Sequence, residues 1–190
     1  MASSNFTVVF DACVLYPAVL RDFLMHLAIS SLFRAKWTDD IHEEWINSLL
    51  SNRPDLTREK LEKTKRLMEL AVPDALVDKS RYNSLIDGLS LPDDDDRHVL
   101  ATAITTQAQL IVTFNVKDFP SKNLEKFQIE AIHPDEFVIQ LLDLSEHVVV
   151  QALFRQQSLL KNPPVSIRDL IKMLEKSGLV RSAARLISIT

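Results

Sequence analysis

The stretch FTVVFDAC, residues 6–13, sets five consecutive β-branched or aromatic side chains directly ahead of an aspartate. Such side chains fit a pleated, buried backbone, so 6–10 predict a strand ending at Asp11. The signature recurs in LIVTF at 110–114 and in QIEAI at 128–132, and a short strand is expected at 75–78. Between these segments the apolar spacing turns helical. Leu20, Phe23, Leu24, Leu27 and Leu32 mark a helix from Ala18 to about Arg34. Thr38 is placed to cap a second, running to about Leu50 with Asp39 and Asp40 in its first turn. A charged helix over 57–71 follows, then one from about Asp94 to Gln107. Strands alternating with helices predict an α/β fold with a parallel sheet flanked by helices.

Beyond His133 no strand pattern remains. Pro134 suits the first turn of a helix through about Leu144, and Ser145 opens another to about Leu160. Ser166 with Asp169 resembles a capping box for a helix stopping at Gly178, and a last helix covers about 179–188. The expected organisation is an α/β domain over 1–135 and an all-helical C-terminal extension over 136–190.

Composition limits the chemistry. At 46% apolar and 25% charged residues, the 190-residue chain can bury a core and stay soluble. Cys13 is the lone cysteine, so no internal disulfide can form. MASSNFTVVFDAC lacks a basic leader and a long apolar run, and no stretch approaches the ~18 apolar residues that span a bilayer. A soluble cytoplasmic protein without membrane contact is expected. Two glycines, Gly88 and Gly178, are too few for a glycine-rich nucleotide loop. The net charge of −4 argues against a polyanion partner until its distribution is read. Eight acidic residues sit in two clusters, Asp39, Asp40, Glu43, Glu44 and Asp93 to Asp96. Without them the basic residues outnumber the acidic ones. A neutral-to-basic surface can therefore surround an acidic pocket, whose sign bound cations would reverse.

Four places combine into that pocket. Asp11 ends the first strand, where open α/β sheets place ligand crevices, although an aspartate there also suits a turn. Asp96 precedes Val99, Leu100 and Ala103 at helical spacing and so aligns with a buried stripe. One or two aspartates suit a helix start, but four adjacent ones repel, and an inward carboxylate is costly without a partner. Glu44 sits beside Trp45 at the edge of the apolar face Ile41, Trp45 and Leu49, whereas Glu43 is expected to face solvent. Thr113, Asn115 and Asp118 follow the second strand and should converge on Asp11. Carboxylates with an amide and no matching His or Cys set form a hard, oxygen-rich site, suited to Mg²⁺ or Mn²⁺ rather than zinc.

The ordered set VVFDACVLYP (8–17), EEWINSLL (43–50), LPDDDDRHVLATAI (91–104) and LIVTFNVKDFP (110–120) resembles the PIN-domain family, especially VapC-type bacterial toxins, over about residues 5–135. The resemblance implies a PIN-like nuclease domain and a Mg²⁺- or Mn²⁺-dependent endoribonuclease acting on RNA phosphodiester bonds. It also implies a homodimer neutralised by an antitoxin protein. The family's motif positions fall on Asp11, Glu44, Asp96 and Asp118 as metal ligands and catalytic residues. Thr113, Asn115 and Asp93 support them, and Glu43 is the alternative to Glu44. HPDEF (133–137) and the helices after it resemble the extension of one PIN subgroup.

Other chemistry fits less well. Cys13 is read as packing rather than as a nucleophile, because no histidine partner is marked. His26, His42, His98, His133 and His147 show no metal-ligand spacing. Arg97 beside Asp96 suits a surface helix better than an RNA contact. The basic residues of 58–66 interleave with glutamates, which favours a solvated face. A haloacid-dehalogenase-like phosphatase needs a second aspartate where Cys13 stands. The rival of another class is a non-catalytic PIN-fold module acting through its helical tail on a protein or DNA. Lys172, Lys176, Arg181 and Arg185 are a thin basic set for a DNA-reading helix pair.

Overall fold

The computed structural model describes residues 6–190; residues 1–5, which open the expected first domain and its N-terminal leader reading, lie outside it. Strand β1 (Thr7–Phe10) is buried along its whole length, as its unbroken apolar run requires of a central strand. It pairs in parallel with β2 (Arg34–Lys36) on one side and β3 (Leu110–Val112) on the other, and β4 (Glu130–Ile132) completes the order β2-β1-β3-β4. From β1 the chain moves outward to β2 and then crosses back past β1 to β3. The gap between the carboxyl ends of β1 and β3 is therefore the switch point where such sheets bind ligands.

Short α1 (Ala12–Leu15) and then α2 (Ala18–Ile29) connect β1 to β2. Helices α3 (Asp39–Asn52), α4 (Arg58–Ala71), α5 (Asn83–Ile86) and α6 (Arg97–Thr105) lead to β3. After α7 (Ser121–Leu124) and β4 come α8 (Pro134–Leu159), α9 (Ile167–Lys176) and α10 (Val180–Ile189).

Four expectations need correction. The helix beginning at Ala18 ends at Ile29 rather than near Arg34, because Ser31 turns the backbone left-handed at φ 63° and releases Leu32 and Phe33. The freed chain forms β2, which the sequence reading missed. At 75–78 there is no strand, only a bridge between Trp37 and Leu76. Finally, α6 starts at Arg97, so Asp93 to Asp95 stand ahead of the helix. The Asp95 amide donates to the Asp93 carboxylate at 3.0 Å, a turn that competes with the helical backbone where like charges crowd.

The extension shares the core of the sheet. Phe10 of β1, Phe33 and Phe137 of α8 pack edge to face with centroids 5.1–6.0 Å apart. Leu170, Leu174, Leu179 and Leu186 join the same buried cluster. By length and composition α8 could cross a membrane, with mean hydropathy 1.4 over its most apolar window. Ser145 breaks its dihedrals at φ −161°, where the sequence places a helix start, and Phe137, Leu141, Val149 and Leu153 are buried inside the protein. Asp135, at its first turn, accepts from the Arg181 amide at 2.9 Å and from the Ser182 amide and hydroxyl at 2.8 and 2.6 Å, capping α10. Gly178 links α9 to α10 at φ +102°. A Cβ there would lie 2.7 Å from Cε1 of Phe114, so the ring fills the space that glycine leaves.

Two buried polar groups brace the helices behind the cleft. Arg21 on α2 donates to the Leu15 carbonyl at 2.7 Å and lies over Trp45 at 4.7 Å, tying the end of α1 to α3. His42 is fully buried, and its Nδ1 accepts from Trp45 Nε1 at 3.0 Å. Burial and the charges of Lys65 and Arg21 push its pKa down to about 4 against the pull of Asp39, and Glu69 stands 4.0 Å away. Unfolded, this imidazole takes a proton near pH 6.5; folded, it takes one only near 4. The unfolded state therefore binds more protons between those values, and stability falls as pH drops from 6.5 toward 4. Melting temperature followed across that window should decline in the parent and decline less in His42→Asn. Parallel curves would mean that other groups govern acid unfolding.

Candidate active site

At the carboxyl ends of β1 and β3 lies a cleft of about 1040 Å³, with Asp11, Glu43, Glu44, Asp96 and Asn115 in its walls. Asp11 is 3% exposed, and its carboxylate is fixed by three donors. Oδ1 accepts from the Ala12 amide at 2.6 Å, and Oδ2 accepts from the Thr113 hydroxyl at 2.6 Å and the Cys13 thiol at 3.1 Å. Thr113 in turn accepts from the Asn115 amide at 2.9 Å, so one hydroxyl locks the loop after β3 to the residue after β1. The locking needs no long-range helper, because β1 and β3 are hydrogen-bonded neighbours and end side by side.

Asp96, at the N-cap of α6, shows how crowded the negative charge is. Burial first, then the charges of Asp11, Asp93, Asp118 and Glu44, push its carboxyl up to about 7. The carboxylates expected to converge do so electrostatically around this residue. They do not all line the open cleft. Thr113 is buried beneath it, Asp118 lies in a 3-10 turn after Asn115, and Asp93 sits in the turn before α6. Among the described residues no group of three or more His, Cys, Asp or Glu side chains stands ready to hold a metal ion. The donor chemistry still fits a hard divalent cation, because the group is rich in carboxylate oxygen and short of positive charge.

Both glutamates line the cleft, but their partners differ. Glu43 pairs with Arg58 of α4 at 3.2 Å, whereas Glu44 Oε1 lies 2.5 Å from His98 Nε2 and acts on Asp96. His98 is thus a site residue that the sequence reading set aside. Burial alone would lower its pKa; the contact with Glu44 and the charges of Asp40 and Asp11 outweigh that and leave it raised. Asp40 was also read only as a helix-start charge. It lines the cleft and accepts from Tyr82 Oη at 2.8 Å and Lys79 Nζ at 2.9 Å, which together hold its carboxyl below the usual range despite partial burial.

Cys13 belongs to the network without being a nucleophile. Burial, then the charge of Asp11, push the thiol up to about 12, so it stays protonated at neutral pH and donates to Asp11. Its sulfur also accepts from the Phe114 amide at 3.2 Å.

A four-stranded parallel sheet with carboxylates gathered at its switch point is the arrangement expected of a PIN domain, and the chain belongs to that family: residues 7–117 match the PIN domain. Residues 134–187 match a second family, described as the VapC50 C-terminal domain. A curated relative from Mycobacterium tuberculosis (strain ATCC 25618 / H37Rv), named "Putative ribonuclease VapC50", is 38% identical over 93 residues. That alignment covers 49% of this chain and 54% of the relative, so the chain spans about half the length of the curated protein it matches. No solved structure matches.

Proposed function

We propose that the protein is a metal-dependent endoribonuclease, the toxin of a toxin–antitoxin pair, acting on RNA in the cytoplasm. The observation that carries the reading is the crowding of Asp11, Asp93, Asp118 and Glu44 around Asp96, which pushes its carboxyl up and which a bound cation would relieve. PIN membership and the relative's name support the same chemistry. The non-catalytic alternative is not favoured, since every candidate carboxylate is present and Asp11, Glu44 and Asp96 line one cleft.

In this reading Asp11, Glu44, Asp96 and Asp118 hold one or two Mg²⁺ or Mn²⁺ ions, with Asp93 nearby. A divalent ion bound there would polarise a phosphoryl oxygen and lower the pKa of water. The protein's own work is positioning. Thr113 and the Ala12 amide fix Asp11, Asn115 faces the cleft above them, and His98 orients Glu44. Residues 1–135 form the nuclease domain, and 136–190 form an extension that closes its core. By resemblance to the family, a homodimer and an antitoxin are the expected partners.

The test uses purified protein and total cellular RNA with Mg²⁺, Mn²⁺ or EDTA. Cutting should require the metal and drop at least ~100-fold in Asp11→Asn, the scale for losing a preorganised charged group. Equal cutting by parent and variant, or cutting that persists in EDTA, would remove the assignment.

A further inference from the structure

The cleft is much larger than an ion and one phosphate require. A water's share of liquid is ~30 Å³, and about 1040 Å³ is the size of a pocket for a bound nucleotide or more. Its chemistry also changes along α3. Asp40, Glu43 and Glu44 give the acidic end; Asn47 and Ser48 follow at i+3 and i+4 from Glu44 and extend the same cleft-facing ridge about 6 Å along the helix. Tyr16, at the C-cap of α1 and packed in part against the hydrophobic core, lines the same cleft. Two arginines flank this uncharged arm. Arg58 donates to Asn47 Oδ1 at 2.5 Å, and Arg53, the C-cap of α3, is close enough to Tyr16 to interact with it electrostatically.

We propose that Tyr16, Asn47 and Ser48 form a subsite for one unstacked base of single-stranded RNA beside the reacting phosphate, with Arg53 and Arg58 meeting the next phosphate along. The inference deepens the ribonuclease reading and rests on it. A phenol ring offers a stacking face, and an amide with a hydroxyl can read a base edge. An aromatic platform flanked by cations is the usual recipe for holding a single strand. A paired base in A-form RNA is not accessible to such a ring, so the subsite selects unpaired substrate. Both arginines are now engaged by Asp55, Glu43 and Glu62 in exposed ion pairs, which are worth little and can be exchanged for phosphate.

The test is steady-state cleavage, with Mg²⁺ or Mn²⁺, of a short single-stranded RNA having one cut site, beside copies lacking one base at successive positions. The parent should show a KM about tenfold higher when one particular base next to the cut is missing. Tyr16→Ala should raise KM about tenfold on intact RNA, leave kcat within about twofold, and show no further penalty at that position. Tyr16→Phe should behave as the parent, and Asn47→Ala should shift which base is preferred there. An unchanged KM in Tyr16→Ala, a base-removal penalty that persists in it, or a loss in Tyr16→Phe equal to that in Tyr16→Ala overturns the subsite while leaving the ribonuclease intact. Should Tyr16→Ala fail to fold by circular dichroism, the parent series and Asn47→Ala decide. Indifference of the parent to every missing base overturns the proposal. A parent that cuts no RNA with either metal removes the ribonuclease reading and the subsite together.

Discussion

Asp96→Asn is expected to melt at a higher temperature than the parent in EDTA at pH 8, and to lose roughly 10³-fold in RNA cleavage once metal is supplied. Both halves follow from one crowded charge. In the folded state Asp96 is partly buried and faces Asp11, Asp93, Asp118 and Glu44, so its carboxyl is pushed up to about 7. Unfolded, it would ionise near 4. Between those values the native state holds a proton that the unfolded state has released, so stability falls as pH rises from 4 to 7, and the cost is complete above 7. An amide of nearly the same shape removes that cost. It also removes a charge from a set whose proposed purpose is to hold a cation, and the variant should therefore lack the stabilisation that added Mn²⁺ gives the parent. Calorimetry with and without metal, beside a cleavage assay, reads both effects. A metal-free Asp96→Asn that melts below the parent would mean that the carboxylate is a structural partner and not a strained ligand.

Asp135→Ala should destabilise the fold by about 3–4 kcal/mol although it lies outside the cleft. The carboxylate is 7% exposed and accepts from the amides of Arg181 and Ser182 and the hydroxyl of Ser182. Bonds to a charged acceptor contribute ~1.5–3 kcal/mol each, and the amide of wholly buried Ser182 would be left without its acceptor, while its hydroxyl keeps the Asp135 backbone carbonyl at 3.0 Å. The exposed pair between Arg181 and Glu136 cannot replace them. For a chain of this size the loss corresponds to a melting temperature lower by roughly 10 °C. Asp135→Asn, which keeps one oxygen acceptor, should lose about half as much. A change below ~1 kcal/mol in Asp135→Ala by urea titration would show that α10 docks by its apolar face alone.

The legible parts of the fold are those whose signal is local. β1 and β3 are runs rich in β-branched and large apolar side chains, and the break at Ser145 and the caps at Thr38 and Ser166 follow from side chains that reach only a few residues along. β2 escaped because it is three residues long, two of them basic, and exists only because Ser31 turns the chain out of α2. The start of α6 was placed too early because helical periodicity says nothing about a turn held by Asp93. The same division runs through the site. Asp11 and Thr113 could be found from strand ends. Asp96 could be found as a carboxylate, though not as a residue standing at the threshold of its helix. The contact of His98 with Glu44, and that of Asp40 with Tyr82, join segments distant in the chain, and no spacing rule within either segment encodes them.

The space beside Gly178, taken up by the Phe114 ring, ties the far end of the molecule to the cleft. Any side chain at 178 presses on the Phe114 ring, whose own amide steadies the thiol that steadies Asp11. A blind hunt for variants that lose the proposed cleavage should thus recover lesions at this joint, although Gly178 does not line the cleft. Plotted along the chain, they would pass for a second centre of catalysis. They mark a wedge driven in from behind.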